Sequence, residues 1–268
     1  MIISNQRYEL AQKAHKDHWE KRWKGNCERQ ERTGEYRRYQ ADLLKKYVNL
    51  NSGSKILDVG CGLGGLINYL DYGERYGLDT LMDYFLQDFD MAKEVKWIKG
   101  RGENLPFHDD FFDVIISTNF IDHIQDPPKV LAEMRRVVKK QGFLFLTVDT
   151  FPWWVKSVKM FLESIGKGNW GHPYTFTRNE VKKIIGGSGF KIIKIFNESD
   201  NLKGVIGDNK EKDAIPFKSK SKIDRALEIK KQRGYGGLFG EFLAVILLRI
   251  FQEGRFYHKR HTVFIAVK

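Results

Sequence analysis

The sequence has few cysteines and no long apolar run, and each shortage excludes a class of protein. Cys27 and Cys61 are the only cysteines among 268 residues, which excludes a disulfide framework and a cysteine-based zinc site. No apolar run approaches the roughly 18 residues of a membrane-spanning helix, and the first residues lack the apolar core of a secretory signal. We therefore expect a cytoplasmic protein, and we predict no metal site.

Basic side chains outnumber acidic ones, 46 to 34, and the excess lies towards the two ends of the chain. Residues 1–50 carry 12 basic and 7 acidic side chains, residues 51–200 carry 19 and 20, and residues 201–268 carry 15 and 7. Basic flanks favour an anionic partner, such as phosphate, a nucleic acid or a membrane surface. A lysine-rich surface facing solvent explains the same pattern equally well.

The order of apolar patterns predicts a single α/β domain over residues 1–268, with a helical N-terminal cap over residues 1–50. Short apolar runs then alternate with helical segments, which predicts a mostly parallel sheet with helices on both faces. Strands are predicted at residues 55–59, 75–78, 95–99, 113–117, 142–148, 190–196 and 261–267. Helices are predicted at residues 8–23, 35–47, 64–70, 81–91, 127–139 and 178–188, the last with Thr177 as its N-cap.

The last third of the chain contains a long excursion before its final strand. Residues 200–255 are predicted to form an insertion or lid, and the strand after them is expected to return antiparallel at the edge of the sheet. Phe242–Leu248 are seven consecutive apolar residues. They fit a buried core helix, a lid over an apolar substrate, or a membrane contact beside the basic stretch Lys218–Lys231.

A glycine-rich turn joins the first predicted strand to the next helix. Glycines there let the backbone adopt positive φ and let a ligand approach closely. Asp79 follows nineteen residues after Gly60, where a carboxylate can accept both hydroxyl hydrogens of a ribose. These features are typical of a nucleoside cofactor site. Gly60, Gly62 and Gly65 fit the dinucleotide pattern, whereas Gly60, Gly62 and Gly64 fit a G-x-G-x-G pattern.

Four segments, in this order, resemble the class I S-adenosylmethionine-dependent methyltransferases, in the broad group that methylates small molecules, quinones, lipids and sugars. The segments are Ile56–Gly64, Gly100–Phe107 with Phe111–Ile116, Ile121–Gly142, and His172–Glu180. The resemblance implies a Rossmann-like, seven-stranded, mostly parallel sheet with an antiparallel last strand. It also implies methyl transfer from S-adenosyl-L-methionine.

The resemblance further implies a set of cofactor-binding residues. Asp58 would hold the ammonium end, Asp79 the ribose hydroxyls, and the Gly102 amide an adenine ring nitrogen, while Leu81 and Met82 would pack on the adenine face. The implied set is Asp58, Gly60, Cys61, Gly62, Gly64, Asp79, Leu81, Met82, Gly102, Glu103 and Asn119.

Two positions depart from the family's pattern. Arg101 stands where an acidic residue often accepts a hydrogen bond from the adenine amine, so Glu103 or a backbone carbonyl is expected to take that role. Lys140 and Gln141 stand where Pro-Gly is usual before the fifth strand, which changes a turn and predicts no change in chemistry.

His123 and His172 are the candidate catalytic residues. In-line alignment supplies most of what methyl transfer needs, and a general base matters only when the acceptor must lose a proton. His123 follows the fourth predicted strand, where it could face the substrate, and His172 lies in a loop that could cover the site. Each histidine could equally serve structure, by fixing a loop or packing beneath it.

The leading hypothesis is a methyltransferase for a small or lipid-like metabolite, apolar or anionic, with peripheral membrane contact as an option. An RNA methyltransferase that uses the basic flanks is the second choice. A non-catalytic, cofactor-binding regulatory protein is the third. A nicotinamide-dependent dehydrogenase fits poorly, because too few residues follow residue 150 for a second catalytic domain. The sequence predicts no oligomeric state.

Overall fold

The computed structural model describes residues 2–23, 27–164, 172–198 and 260–268. The predicted insertion over residues 200–255, with Phe242–Leu248 and Lys218–Lys231, therefore lies outside the described residues. The described residues belong to one compact unit, formed by residues 1–198 and 259–268. That the whole chain is one domain stays a prediction.

Six helices and seven strands make up the described part of the chain. The helices are α1 (Asn5–Trp23), α2 (Cys27–Lys45), α3 (Met82–Asp88), α4 (Pro127–Val137), α5 (Trp153–Ser164) and α6 (Arg178–Gly187). The strands are β1 (Lys55–Val59), β2 (Glu74–Asp79), β3 (Val95–Lys99), β4 (Phe112–Thr118), β5 (Val138–Thr150), β6 (Lys191–Asn197) and β7 (Arg260–Val267). None of the helices in these ranges is both long and apolar enough to cross a membrane.

The strands form one sheet in the order β3-β2-β1-β4-β5-β7-β6. Strands β1 to β5 pair in parallel, and β7 runs antiparallel to both of its neighbours. The predicted seven-stranded, mostly parallel sheet with an antiparallel last strand is confirmed. The predicted edge position of that strand is wrong, because β7 lies between β5 and β6. The burial of β7 explains its internal position, because five consecutive residues, from Thr262 to Ala266, are buried. The outer strand β6 instead carries the exposed side chains of Lys191 and Lys194, and edge strands often carry such charges.

Apolar clusters cover both faces of the sheet, because successive side chains of a strand point to opposite faces. On one face, Leu57 of β1 packs in a cluster that includes residues of α4 and α6. On the other face, the adjacent Ile56 packs in a cluster that includes residues of α2. The prediction of helices on both faces is therefore confirmed.

Several helix and strand bounds differ from the predictions. The helix predicted over residues 64–70 is only a short 3-10 helix, Leu66–Tyr69. The amide of Ile67 donates to the buried carboxylate of Asp58 at 3.2 Å, and Leu70 is extended, so the helix does not continue. Helix α5 was not predicted, and α2 and β5 begin earlier than predicted. Thr177 is confirmed as an N-cap, since it forms a reciprocal capping box with Glu180.

Helix α1 lies across the carboxyl ends of the parallel strands. The Gln12 amide oxygen accepts a hydrogen bond from the Thr80 hydroxyl, just beyond β2, at 3.0 Å. The ring of Trp19 makes an edge-on contact with Phe85 of α3. These contacts place one face of α1 over the edge of the sheet where ligands bind in parallel α/β folds.

The internal position of β7 predicts a large effect of a core truncation there. Phe264 is fully buried, so Phe264→Ala should lower the free energy of unfolding by about 3–5 kcal/mol. Ile193 of the outer strand is 46% exposed, and Ile193→Ala should cost less than about 1 kcal/mol. Urea unfolding of both variants checks this, and equal losses would contradict the topology.

Candidate active site

A cavity of about 460 Å³ lies where the carboxyl ends of β1, β2 and β4 meet beneath α1. Nine of the eleven predicted cofactor residues line it, and both candidate catalytic histidines line it as well. The nine are Gly60, Cys61, Gly62, Gly64, Asp79, Leu81, Gly102, Glu103 and Asn119. The structure therefore brings most of the predicted site residues together.

The carboxylate of Asp79 ties the glycine-rich turn to the end of β2. One oxygen accepts the amide of Gly62 and the other accepts the amide of Leu81, each at 2.9 Å. Burial raises the pKa of Asp79, and the hydrogen bonds from backbone amides oppose this rise. Because a carboxylate oxygen can accept more than one hydrogen bond, Asp79 retains acceptor capacity for a ligand in the cavity.

Asp58 lies beneath the same turn and is fully buried. Its Oδ2 accepts the Ile67 amide, while its Oδ1 has no hydrogen-bond partner among the described residues. Burial raises the pKa of this carboxyl group to about 6, although the charge of Arg37 and the Ile67 amide oppose the rise. A buried oxygen without a partner is costly, so a donor that reached it would be strongly favoured.

Arg37 also lines the cavity, although it is not among the predicted site residues. Its guanidinium donates to Thr118 Oγ1 at 2.9 Å and to Gln40 Oε1 at 2.7 Å, and the side chain lines the cavity. It therefore places a permanent positive charge near the buried carboxylate of Asp58. The sequence offered no signal, because Arg37 is one of several arginines in the polar N-terminal segment.

Aromatic side chains cover the glycine-rich turn. Gly60 and Gly62 have φ values of 73° and 56°, and both lie against rings. A Cβ atom on Gly60 would lie 1.9 Å from the Phe120 ring, and one on Gly62 would lie 3.0 Å from the Trp19 ring. Glycine is therefore required at position 60 by packing as well as by conformation.

Three predicted residues have surroundings that differ from the expectation. The side chain of Met82 is buried in a small cluster with Phe85 and does not line the cavity. The Glu103 carboxylate already accepts the amide of Gln125 at 3.0 Å, so it fixes the loop after β4. Burial raises the pKa of Cys61 well above its ordinary range, so this thiol stays neutral and packs as an apolar group.

Arg101, which departs from the family pattern, also contacts the loop after β4. Its guanidinium lies over the ring of Tyr8, 4.5 Å from the centroid, and donates to Gln125 Oε1 at 2.8 Å. Arg101 thus connects α1 to this loop and offers no acceptor to a ligand.

The two candidate catalytic histidines share one buried carboxylate, that of Asp122. His172 Nδ1 lies 2.9 Å from Asp122 Oδ2, and His123 Nε2 lies 3.6 Å from Asp122 Oδ1. Burial raises the pKa of Asp122, but the nearby histidines outweigh this effect and hold the pKa well below its usual range. The carboxylate is therefore ionised at neutral pH.

His15 of α1 joins this group. Its Nε2 lies 2.7 Å from His123 Nδ1, and both rings line the cavity. His15, like Tyr8, Gln12 and Trp19 of the same helix, is not among the predicted site residues, although the aromatic N-terminal cap was expected to enclose the substrate. These residues recur every three or four positions, which is helical spacing, but only the fold shows that this face covers the cavity.

Comparisons with known proteins point to one family. Residues 57–146 match the family described as "Methyltransferase domain". The chain is 29% identical over 161 residues to malonyl-[acyl-carrier protein] O-methyltransferase of Geobacter sulfurreducens, covering 55% of this chain and 59% of that protein. It is 34% identical over 115 residues to demethylmenaquinone methyltransferase of Geobacillus sp., covering 39% of this chain and 49% of that protein.

The chain thus spans about half to three-fifths of the length of these two relatives. The crystal structure of a putative sarcosine dimethylglycine methyltransferase from Galdieria sulphuraria shares the fold, with a TM-score of 0.56. The match covers 87% of this chain and 85% of that one, at 20% identity.

The packing of the Phe120 ring against Gly60 predicts a coupled pair of substitutions. Gly60→Ala should lower the free energy of unfolding by about 2–5 kcal/mol, because it adds both positive-φ strain and a clash. Phe120→Ala in the same chain should recover the part due to the clash. Gly186→Ala is the control, since nothing lies within 4 Å of its added Cβ. Urea unfolding of the double-mutant cycle measures the coupling, and strict additivity would contradict this packing.

Proposed function

We propose that this chain, which resembles the class I S-adenosylmethionine-dependent methyltransferases, transfers a methyl group from S-adenosylmethionine to a small or lipid-like metabolite. The observation that carries this proposal is a pair of carboxylates on either side of the glycine-rich turn, the buried Asp58 and the partly exposed Asp79. The names of the two relatives support a small-molecule acceptor, since one acts on a malonyl carrier protein and the other on a demethylmenaquinone.

The polar groups that line the cavity, together with Asp58 beneath the glycine-rich turn, fit the parts of this cofactor. The unpartnered Oδ1 of Asp58 suits a cationic donor such as the cofactor's ammonium group. The Asp79 carboxylate, whose two oxygens each accept one backbone amide, suits the two ribose hydroxyls. The cavity volume of about 460 Å³ is within the ordinary range for small-molecule sites.

Arg37 suits the cofactor's carboxylate. A guanidinium binds carboxylates by charge-assisted hydrogen bonds, and Arg37 lies close enough to Asp58 to lower the pKa of that group. Ammonium and carboxylate would then each meet the opposite charge at the same end of the cavity. We assign the amino-acid end of the cofactor to Asp58 and Arg37, and the ribose to Asp79.

Bound S-adenosylmethionine supplies a methyl group on a positively charged sulfur, which is already activated for transfer. The chain then has to align the acceptor and keep water out. Trp19 and Phe120 present apolar surface to the cavity, which excludes water from the transfer path. His123 and His172 line the same cavity, and their role as general bases stays a prediction. The RNA and regulatory alternatives also stay predictions.

Removal of the Asp79 carboxylate should weaken cofactor binding. Asp79→Ala should weaken the binding of S-adenosylhomocysteine by about 10- to 150-fold, the equivalent of about 1.5–3 kcal/mol for lost hydrogen bonds to a charged group. Asp83→Ala is the matched control, because Asp83 is exposed and pairs with Lys99. Isothermal titration calorimetry measures both. Unchanged affinity in a folded Asp79→Ala variant would contradict the assignment.

The raised pKa of Asp58 predicts that cofactor binding depends on pH. Below a pKa of about 6 the carboxyl group is protonated in the free protein, and it must lose that proton to attract an ammonium group. The affinity for S-adenosylhomocysteine should therefore fall between pH 7 and pH 5, approaching a tenfold loss per unit below the pKa. Asp58→Asn should bind more weakly at pH 7 and lose most of this dependence. An identical pH profile in both proteins would contradict the role of Asp58.

A further inference from the structure

The group formed by Asp122, His123 and His172 has the composition of a metal site. One donor atom from each residue lies within 4.8 Å of the other two. Asp122 and His123 are buried, and His172 is partly exposed. Two imidazoles and one carboxylate are a donor set that suits divalent first-row transition metals. We propose that these three residues bind one such ion, Zn²⁺ or a close analogue, at the part of the cavity that His123 and His172 line.

The separations between these atoms support a shared ion. Ligand bonds to Zn²⁺ are about 2.0–2.2 Å long, so two ligand atoms on one ion lie at most about 4.4 Å apart. His123 Nε2 and Asp122 Oδ1 are 3.6 Å apart, which is too far for a hydrogen bond but within that span. His172 Nδ1 and Asp122 Oδ2, at 2.9 Å, are also within it. The three donor atoms lie within 4.8 Å of one another. Movements of less than about an ångström would bring every pair within the distance that a shared Zn²⁺ allows.

A second observation is Asp122 Oδ1, which lies at ion-pair distance from His123 Nε2, 3.6 Å, without a hydrogen bond. Only 5% of this residue is exposed, and its Oδ1 has no hydrogen-bond partner among the described residues. A buried carboxylate oxygen in this state is unfavourable unless a cation or a donor satisfies it. An ion between the carboxylate and the two imidazoles removes that penalty.

His15 is a positioning residue for this site. Its contact with His123 Nδ1, at 2.7 Å, leaves His123 Nε2 on the side of Asp122. Histidine ligands commonly use their second ring nitrogen in a hydrogen bond that fixes the ring, and loss of that partner weakens metal binding by about 10- to 100-fold. Because His15 belongs to α1, the site forms fully only when α1 is packed over the cavity.

Three protein ligands leave a coordination position for a further group. His123 and His172 line the cavity, so an acceptor oxygen there could occupy this position. A bound divalent ion lowers the pKa of such an oxygen and fixes its direction. The contact between the ion and a methyl acceptor rests on the proposed function, whereas metal binding itself does not. Such a contact favours an acceptor that carries a hydroxyl or carboxylate oxygen.

Calorimetric titration of the full chain, without a histidine tag, with ZnCl₂ tests the proposal. The unaltered protein should bind one Zn²⁺ per chain at this site and show no comparable binding of Mg²⁺, which prefers oxygen ligands. His172→Ala and Asp122→Asn should each weaken this binding at least tenfold. His108→Ala is the matched control and should change nothing, because His108 is exposed and lies outside the cluster.

His15→Ala should weaken Zn²⁺ binding through the ring of His123, and His15→Gln should restore part of it. S-adenosylhomocysteine binding by every variant reports whether the cavity is intact, and it separates this proposal from the proposed function. Equal Zn²⁺ affinity in the unaltered protein and a folded His172→Ala variant, or no Zn²⁺ binding at all, would overturn the metal site. If the unaltered protein does not bind S-adenosylhomocysteine, the cofactor assignment is overturned instead.

Discussion

The site depends on one carboxylate, that of Asp79, and on the two backbone amides that it accepts. These hydrogen bonds, from Gly62 and Leu81 at 2.9 Å, connect the turn after β1 to the end of β2. They fix the turn at the edge of the sheet where the parallel strands end. Asp79 is only partly exposed, and the backbone dipoles that face it favour its charged form. The same charge is then available to a ligand.

Charge divides the cavity into two ends with different chemistry. At one end, Asp79 and Arg37 line the cavity and the buried Asp58 lies beneath the glycine-rich turn, an arrangement that suits a ligand carrying both an ammonium and a carboxylate group. At the other end, His123 and His172 lie beside the ionised Asp122, and His15 contacts His123. Helix α1 contributes to both ends and so completes a site that the sheet alone leaves open. The cofactor and the acceptor are therefore expected to meet beneath this helix.

The sequence predicted the sheet and much of the cofactor end because both follow local rules. Strand alternation, the glycine turn and Asp79 lie within a short stretch of chain, where spacing determines geometry. The place of β7 was missed, because an internal and an edge strand differ in partners that are distant in sequence. Arg37 and His15 were missed for the same reason. They belong to N-terminal helices that are distant in sequence from Thr118 and His123, the residues that they contact in the site. Their importance comes from packing, which no local pattern encodes.

A crystal structure of the protein with bound S-adenosylhomocysteine would show directly whether Asp79 binds the ribose. We expect both ribose hydroxyls within about 3.2 Å of the Asp79 carboxylate, with the amino-acid end of the ligand between Asp58 and Arg37. A ligand bound elsewhere, with the Phe120 ring still packed on Gly60 and no ligand atom near Asp79, would contradict it.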